Sequence, residues 1–189
     1  MPNVRPTVRR TEMAKAHKIM GVKPLRSYRE NARIILSQKV EEVYTWEPFI
    51  QDAARREELH NMRISIKRLR YTMELFRLAY GSPKIHSGEV TMADNKRFTE
   101  FLKVIVDLQE ILGDIHDCDV VLEILTDYGT QSEQATLTPG IAKLITQARE
   151  TRNADYKTFL AKWEQLSAAN FKHQLLSFFG AARKPKTRY

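Results

Sequence analysis

Apolar residues recur along this chain at intervals of three and four, and glycine and proline cut the recurrence into segments. Uninterrupted stretches lie at 25–47, 49–80, 89–112, 114–128 and 141–179. In the first, Tyr28, Ala32, Ile35, Leu36, Val40 and Val43 share a helical face. In the second, Met62, Ile66, Leu69, Met73, Phe76 and Tyr80 do so. Phe98, Phe101, Leu102, Ile105, Leu108 and Leu112 line the third. Ile141, Leu144, Ile145, Ala148, Phe159, Leu160, Trp163 and Leu166 continue the pattern in the last. No stretch sustains the period of two that marks a half-buried strand. The pattern therefore predicts an all-α bundle of about five to six helices, with a basic groove for the reason given below.

Boundary signals divide it further. Thr138 is placed to N-cap a helix whose first residue is Pro139. Asp94 is read as the cap of a helix through 112, and Asp114, just after Gly113, as the cap of the next. A single helix over the last segment would be about 60 Å long at about 1.5 Å per residue. A break is expected near 167–170, with a short final helix through Phe178. The basic, polar ends at 1–22 and 181–189 are expected to fray, leaving one domain over 23–180.

The second segment carries an unusual charge pattern. At 100° per residue, His60, Arg63, Lys67, Arg70 and Arg77 fall on one stripe about 80° to 100° wide. Met62, Ile66, Leu69, Met73 and Phe76 form a core face on one side of it. Ile64, Tyr71, Leu75 and Leu78 form a second apolar arc on the other. Asn61, Ser65, Arg68 and Thr72 are left for the outward face. Cations flanked by apolar arcs line a groove or seam, where they repel one another and lose hydration. Such a stripe calls for a negative partner. Its members stand about 5 Å apart along the helix, which suits a chain of repeated phosphates. Arg26, Arg29 and Arg33 step by three and four on the first helix. They extend the same track if the two helices pack antiparallel, or else pair with acids such as Glu30 and Glu41.

Overall charge agrees with an anionic partner: lysine and arginine number 31 against 23 acids, a formal charge of +8. Hydrophobic residues, at 42%, are enough for a core. No run of about 18 apolar residues predicts a membrane span, and MPNVRPTVRRTEM does not read as a secretion signal. The single cysteine, Cys118, excludes an internal disulfide and fits a reducing, cytoplasmic setting.

Residues 59–76, LHNMRISIKRLRYTMELF, resemble the signature of the CHAD domain, the conserved histidine α-helical domain. Residues 108–122, LQEILGDIHDCDVVL, resemble that family's second signature, in the same order, and a weaker likeness runs from about 25 to 179. The resemblance implies a helical domain that binds inorganic polyphosphate and can associate with polyphosphate granules; it does not imply catalysis, and no cofactor is expected. The anion contacts it implies are His60, Arg63, Lys67, Arg68 and Arg70. His116 stands where the second signature usually has arginine or asparagine, so its contact depends on pH. The family usually holds two helical units in tandem and this chain carries one of each signature, so a homodimer is expected.

Rival chemistry is weaker. Glu57 and His60 make one Glu-x-x-His pair, where a di-metal bundle needs two pairs and further glutamates. Asp114, His116, Asp117 and Asp119 offer hard ligands for magnesium, or else cap a helix and orient arginines. No metal is expected. There is no phosphate-cradling glycine loop and no Gly-Lys-Ser/Thr motif, so the chain is not expected to be an enzyme. Nucleic acid is the main alternative partner, through the same basic face and the ARKPKTRY tail. Against it, Tyr71, Phe76, Phe98 and Phe101 sit at core spacing and not as stacking platforms. An acidic amphipathic helix from a protein partner is a third occupant the groove would accept.

Overall fold

Ser27 and Glu30 start the first helix by bonding each other's backbone. The Ser27 hydroxyl accepts from the Glu30 amide, and the Glu30 carboxylate accepts from the Ser27 amide at 2.9 Å, a capping box. The structure, a computed structural model, describes residues 18–81, 92–131 and 139–180. Its helices are α1 (Tyr28–Tyr44), α2 (Arg56–Leu75), α3 (Arg77–Gly81), α4 (Met92–Gln131), α5 (Pro139–Ala168) and α6 (Phe171–Gly180). A 3₁₀ turn at Glu47–Phe49, containing Pro48, links α1 to the approach of α2. No strand occurs among the described residues, so the chain is the all-α bundle that the periodicity predicts.

Helix α2 is flanked by α1 and α4; α4 also packs on α3 and α5, and α6 returns onto α1. The core face of α2 is as expected: Met62, Ile66, Leu69, Met73 and Phe76 are all buried, against Leu36, Val40, Ile105 and Leu108. Each such side chain contributes about 1.5–3 kcal/mol on burial. Tyr80 closes one end of the core. It stacks on Phe98 at 5.5 Å between centroids and meets Phe178 and Phe179 from α6.

Three boundary expectations need correction. Helix α4 runs unbroken through Gly113, so Asp114 is an exposed mid-helix residue and not an N-cap. A lone glycine costs a helix interior only about 1 kcal/mol, and here it meets α2: a Cβ on Gly113 would stand 3.9 Å from Arg63 Nε. Asp94 lies within the first turn of α4, not before it. The stretch 49–80 is not one helix, because two tertiary bonds and a local one hold its start in a loop. The Tyr156 hydroxyl donates to Ile50 O at 2.7 Å, Arg152 donates to Ala53 O at 3.0 Å, and the Asp52 carboxylate accepts from the Ala54 amide at 2.9 Å.

The break expected near 167–170 is present. Asn170 takes the left-handed conformation, with φ of 54°, between α5 and α6, a position that asparagine tolerates better than most residues. The last helix runs on to Gly180. Pro139 is the first residue of α5, while Thr138 lies outside the described residues, as do 1–17 and 181–189. Within the basic N-terminal segment, the Met20 amide and carbonyl bond the Gln38 side chain at 2.9 and 2.8 Å.

Candidate anion-binding site between the second and fourth helices

Three contacts fix α2 antiparallel to α4. Arg56 Nε lies 3.2 Å from Asp119 Oδ1, the His60 and His116 ring centroids lie 4.6 Å apart, and Arg63 lies over Gly113. His60, Arg63, Lys67 and Arg70 are all half-buried on α2. They lie between the core face and an apolar arc that the structure leaves in solvent: Tyr71 is 52% and Leu75 67% exposed.

Arg63 differs from the other three in one atom. Its Nε is buried and has no hydrogen-bond partner, and Gln109 Oε1 on α4 is in the same condition. An unpaired buried N–H costs about 1–3 kcal/mol. One and two turns on, Lys67 and Arg70 each hold their charge 5.8 Å from the Tyr71 ring centroid. Arg70 Nε also donates to Glu74 Oε1 at 2.9 Å. That pair is partly exposed and worth little in water.

Burial holds the His60 pKa below its ordinary value, and the neighbouring His116 and Arg63 push it the same way. His60 is therefore neutral near pH 7 and offers one N–H. His116 Nδ1 stands 3.3 Å from Asp117 Oδ1. The donors in this seam are all N–H groups of imidazole, guanidinium and ammonium, the set that phosphoryl oxygens accept from.

Other expected members lie elsewhere. Arg68, implied by the family signature, turns away from the groove: its Nη1 pairs with Glu42 Oε1 at 3.1 Å, and Glu42 also takes Lys39 Nζ at 2.6 Å. The face assigned to solvent is thus covered by α1. Asn61 and Ser65 are buried there, with Ser65 Oγ accepting from Trp46 Nε1 at 3.0 Å. Arg26, just before α1, and Arg29 and Arg33 on it do not join the stripe either. Arg26 donates to Gly21 O at 2.9 Å, Arg29 packs 5.6 Å from the Tyr80 ring centroid, and Arg33 donates to Phe179 O at 3.2 Å and to Gly180 O. Arg33 so satisfies carbonyls at the C-terminus of α6, where a cation is favoured. Arg77 is exposed at the start of α3.

Arg152 was missed by the sequence reading. It is buried on α5, donates to Asp119 at 2.6 Å and to Ala53 O at 3.0 Å, and with Arg56 ties the start of α2 to α4. Asp119 is thus an arginine-orienting residue, as one reading of the acidic turn expected. Among the described residues no three side chains of His, Cys, Asp or Glu are grouped to hold a metal ion. No described helix is long and apolar enough to cross a membrane.

The family model of the CHAD domain matches residues 5–87, which include α1, α2 and α3. The match ends before α4, so the block at 108–122, with His116, lies outside it. No curated protein and no solved structure matches this chain.

Proposed function

Residues 5–87 of this chain belong to the CHAD domain family, and from that premise we propose that the protein binds inorganic polyphosphate, without changing it chemically, in the seam between α2 and α4. Arg63 supports this most directly. Its buried Nε lacks a partner inside a line of cations spaced along one helix, as a repeating anion requires. Arg63 and Arg70 give forked hydrogen bonds to phosphoryl oxygens, Lys67 adds a compact charge, and His60 and His116 donate at the far end. Arg68 is assigned to folding rather than to the anion, because Glu42 already holds it. Arg26, Arg29 and Arg33 are likewise assigned to α1 and its neighbours. The protein acts in the cytoplasm, at polyphosphate granules, as a homodimer.

The test is competition between long-chain polyphosphate and duplex DNA at about 150 mM salt, where exposed charges are screened within roughly 8 Å. Preference for polyphosphate, lost in the Arg63→Ala/Arg70→Ala double variant with helicity intact, supports the reading. Equal or stronger binding of DNA moves the assignment to nucleic acid.

A further inference from the structure

We infer that carboxylates close the groove at both ends, so that each chain grips a short run of phosphates, with Glu74 as the residue that sets the limit. This rests on the polyphosphate reading and adds to it the length of polymer that one groove takes.

Steps of three and four along one side of α2 pass through Glu57, His60, Arg63, Lys67, Arg70 and Glu74, and reach Arg77 at the start of α3. N–H donors run unbroken only from His60 to Arg70, about 15 Å at about 1.5 Å per residue. At the Arg70 end, the exposed Glu74 accepts from Arg70 Nε at 2.9 Å. The Arg70 pKa is raised, first by that bond and also by the charge of Glu110, which acts on it from α4. At the His60 end, Glu57 is exposed one turn earlier on α2, and Asp117 Oδ1 stands 3.3 Å from His116 Nδ1. Arg56 is engaged with Asp119 at 3.2 Å. One helical turn, about 5.4 Å, lies inside the screening length of about 8 Å at physiological ionic strength. A phosphate placed beside Glu57 or Glu74 is therefore repelled.

Helix stability does not account for Glu74. Helix α2 ends at Leu75, so Glu74 lies in its last turn, where the dipole favours a cation. Arg70 precedes it by four residues, the weaker order for an ion pair on a helix. Past Glu74 the cations resume. Arg77 is exposed on α3, and Lys103 is exposed on α4, seven residues before Glu110 and on the same side of that helix. Glu74 thus divides a longer basic track, and its charge decides where the polymer leaves the protein.

Affinity against chain length tests this. The stripe's length of about 15 Å sets the probes: linear polyphosphate fractions with extended lengths of about 20 Å and about 60 Å, titrated separately and counted per phosphate. The unaltered protein is expected to bind the two with affinities within about threefold of each other. In Glu74→Gln/Glu110→Gln the longer fraction is expected to gain about tenfold over the shorter, the worth of one added charge-assisted contact. Both positions are exposed, so helicity is retained, and Glu74→Gln alone should give part of the gain. Glu164→Gln, exposed on α5, removes one charge elsewhere and should leave the ratio of affinities unchanged. A longer fraction favoured more strongly than this by the unaltered protein, or a ratio that the glutamines do not move, overturns the limit and leaves polyphosphate binding standing. Binding of neither fraction by the unaltered protein removes the polyphosphate reading, and the limit with it.

Discussion

The rings of His60 and His116 lie 4.6 Å apart, centroid to centroid, and are tilted by 30°, one from each side of the α2–α4 seam. Burial, and then the neighbouring His116 and Arg63, keep the His60 pKa below its ordinary value of 6.5. In the free protein the unfolded chain therefore takes the proton more readily than the folded one. Stability falls as pH drops below about 6.5 and levels off under the folded pKa. A bound polyanion acts with the opposite sign, because phosphoryl oxygens favour the imidazolium. Binding then takes up protons, and affinity rises on acidification, by at most about tenfold per pH unit for each proton. Calorimetry at pH 6.0 and 7.5 is expected to show the tighter complex at pH 6.0. His60→Gln should flatten that slope and also remove part of the acid-side loss of thermal stability. A pH-independent affinity in the unaltered protein rejects this role for His60.

Gly113 lets the Arg63 guanidinium lie against α4. A Cβ there would sit at ordinary contact distance, 3.9 Å from Arg63 Nε, so alanine fits. Gly113→Ala is expected to raise stability by about 0.5–1 kcal/mol, because glycine is the poorer helix former. Polyphosphate affinity should be nearly unchanged. Gly113→Leu should displace Arg63 and cut affinity at least tenfold with helicity retained. Equal affinity for the two variants would show that Arg63 does not need its present place.

Lys67 and Arg68 are neighbours in sequence and stand 100° apart on the wheel, and the structure gives them different work. Arg68 satisfies Glu42, which is only 4% exposed, while Lys67 stays on the groove side over Tyr71. Arg68→Met should cost about 2 kcal/mol of stability, the range for hydrogen bonds to charged groups, and change polyphosphate affinity less than about threefold. Lys67→Met should do the reverse, lowering affinity about fivefold or more with stability inside about 0.5 kcal/mol. Chemical denaturation and a binding titration on both proteins separate the two. If Arg68→Met weakens binding as much as Lys67→Met, the family's implied contact at Arg68 is restored.

Periodicity made most of the fold legible. The buried positions of α2, the core line of α4 and the break before α6 all follow from spacing and length. Gly113 misled the boundary reading because a glycine that ends a helix and one that admits a neighbouring helix look alike in sequence. The groove side of α2 was legible from the wheel, since the stripe is defined by its own helix. Its opposite face was not: Asn61, Ser65 and Arg68 read as solvent-facing until Trp46 and Glu42 of the preceding segment cover them. Arg26, Arg29 and Arg33 matched the stripe in spacing, but spacing carries no information about which helix lies opposite. Arg33 reaches the end of α6, 146 residues away from its Phe179 acceptor, and no local pattern encodes that.

The same limit hid Arg152, the residue on which the groove's geometry depends. It is 5% exposed, and its guanidinium joins α5 to Asp119 on α4 and to the Ala53 carbonyl just before α2. Arg56 reaches Asp119 from solvent, at 54% side-chain exposure, and is the lesser partner. Arg152→Met preserves the aliphatic packing but leaves the half-buried Asp119 carboxylate with Arg56 alone and the Ala53 carbonyl unpaired. Breaking a buried pair from one side costs about 3–5 kcal/mol, which for a chain of this size lowers the melting temperature by about 10 °C. Arg56→Ala should lower it by about 2 °C or less, as exposed pairs do. Thermal denaturation of the two variants decides between these roles. Comparable losses from both would place the strut at Arg56 and leave Arg152 as packing.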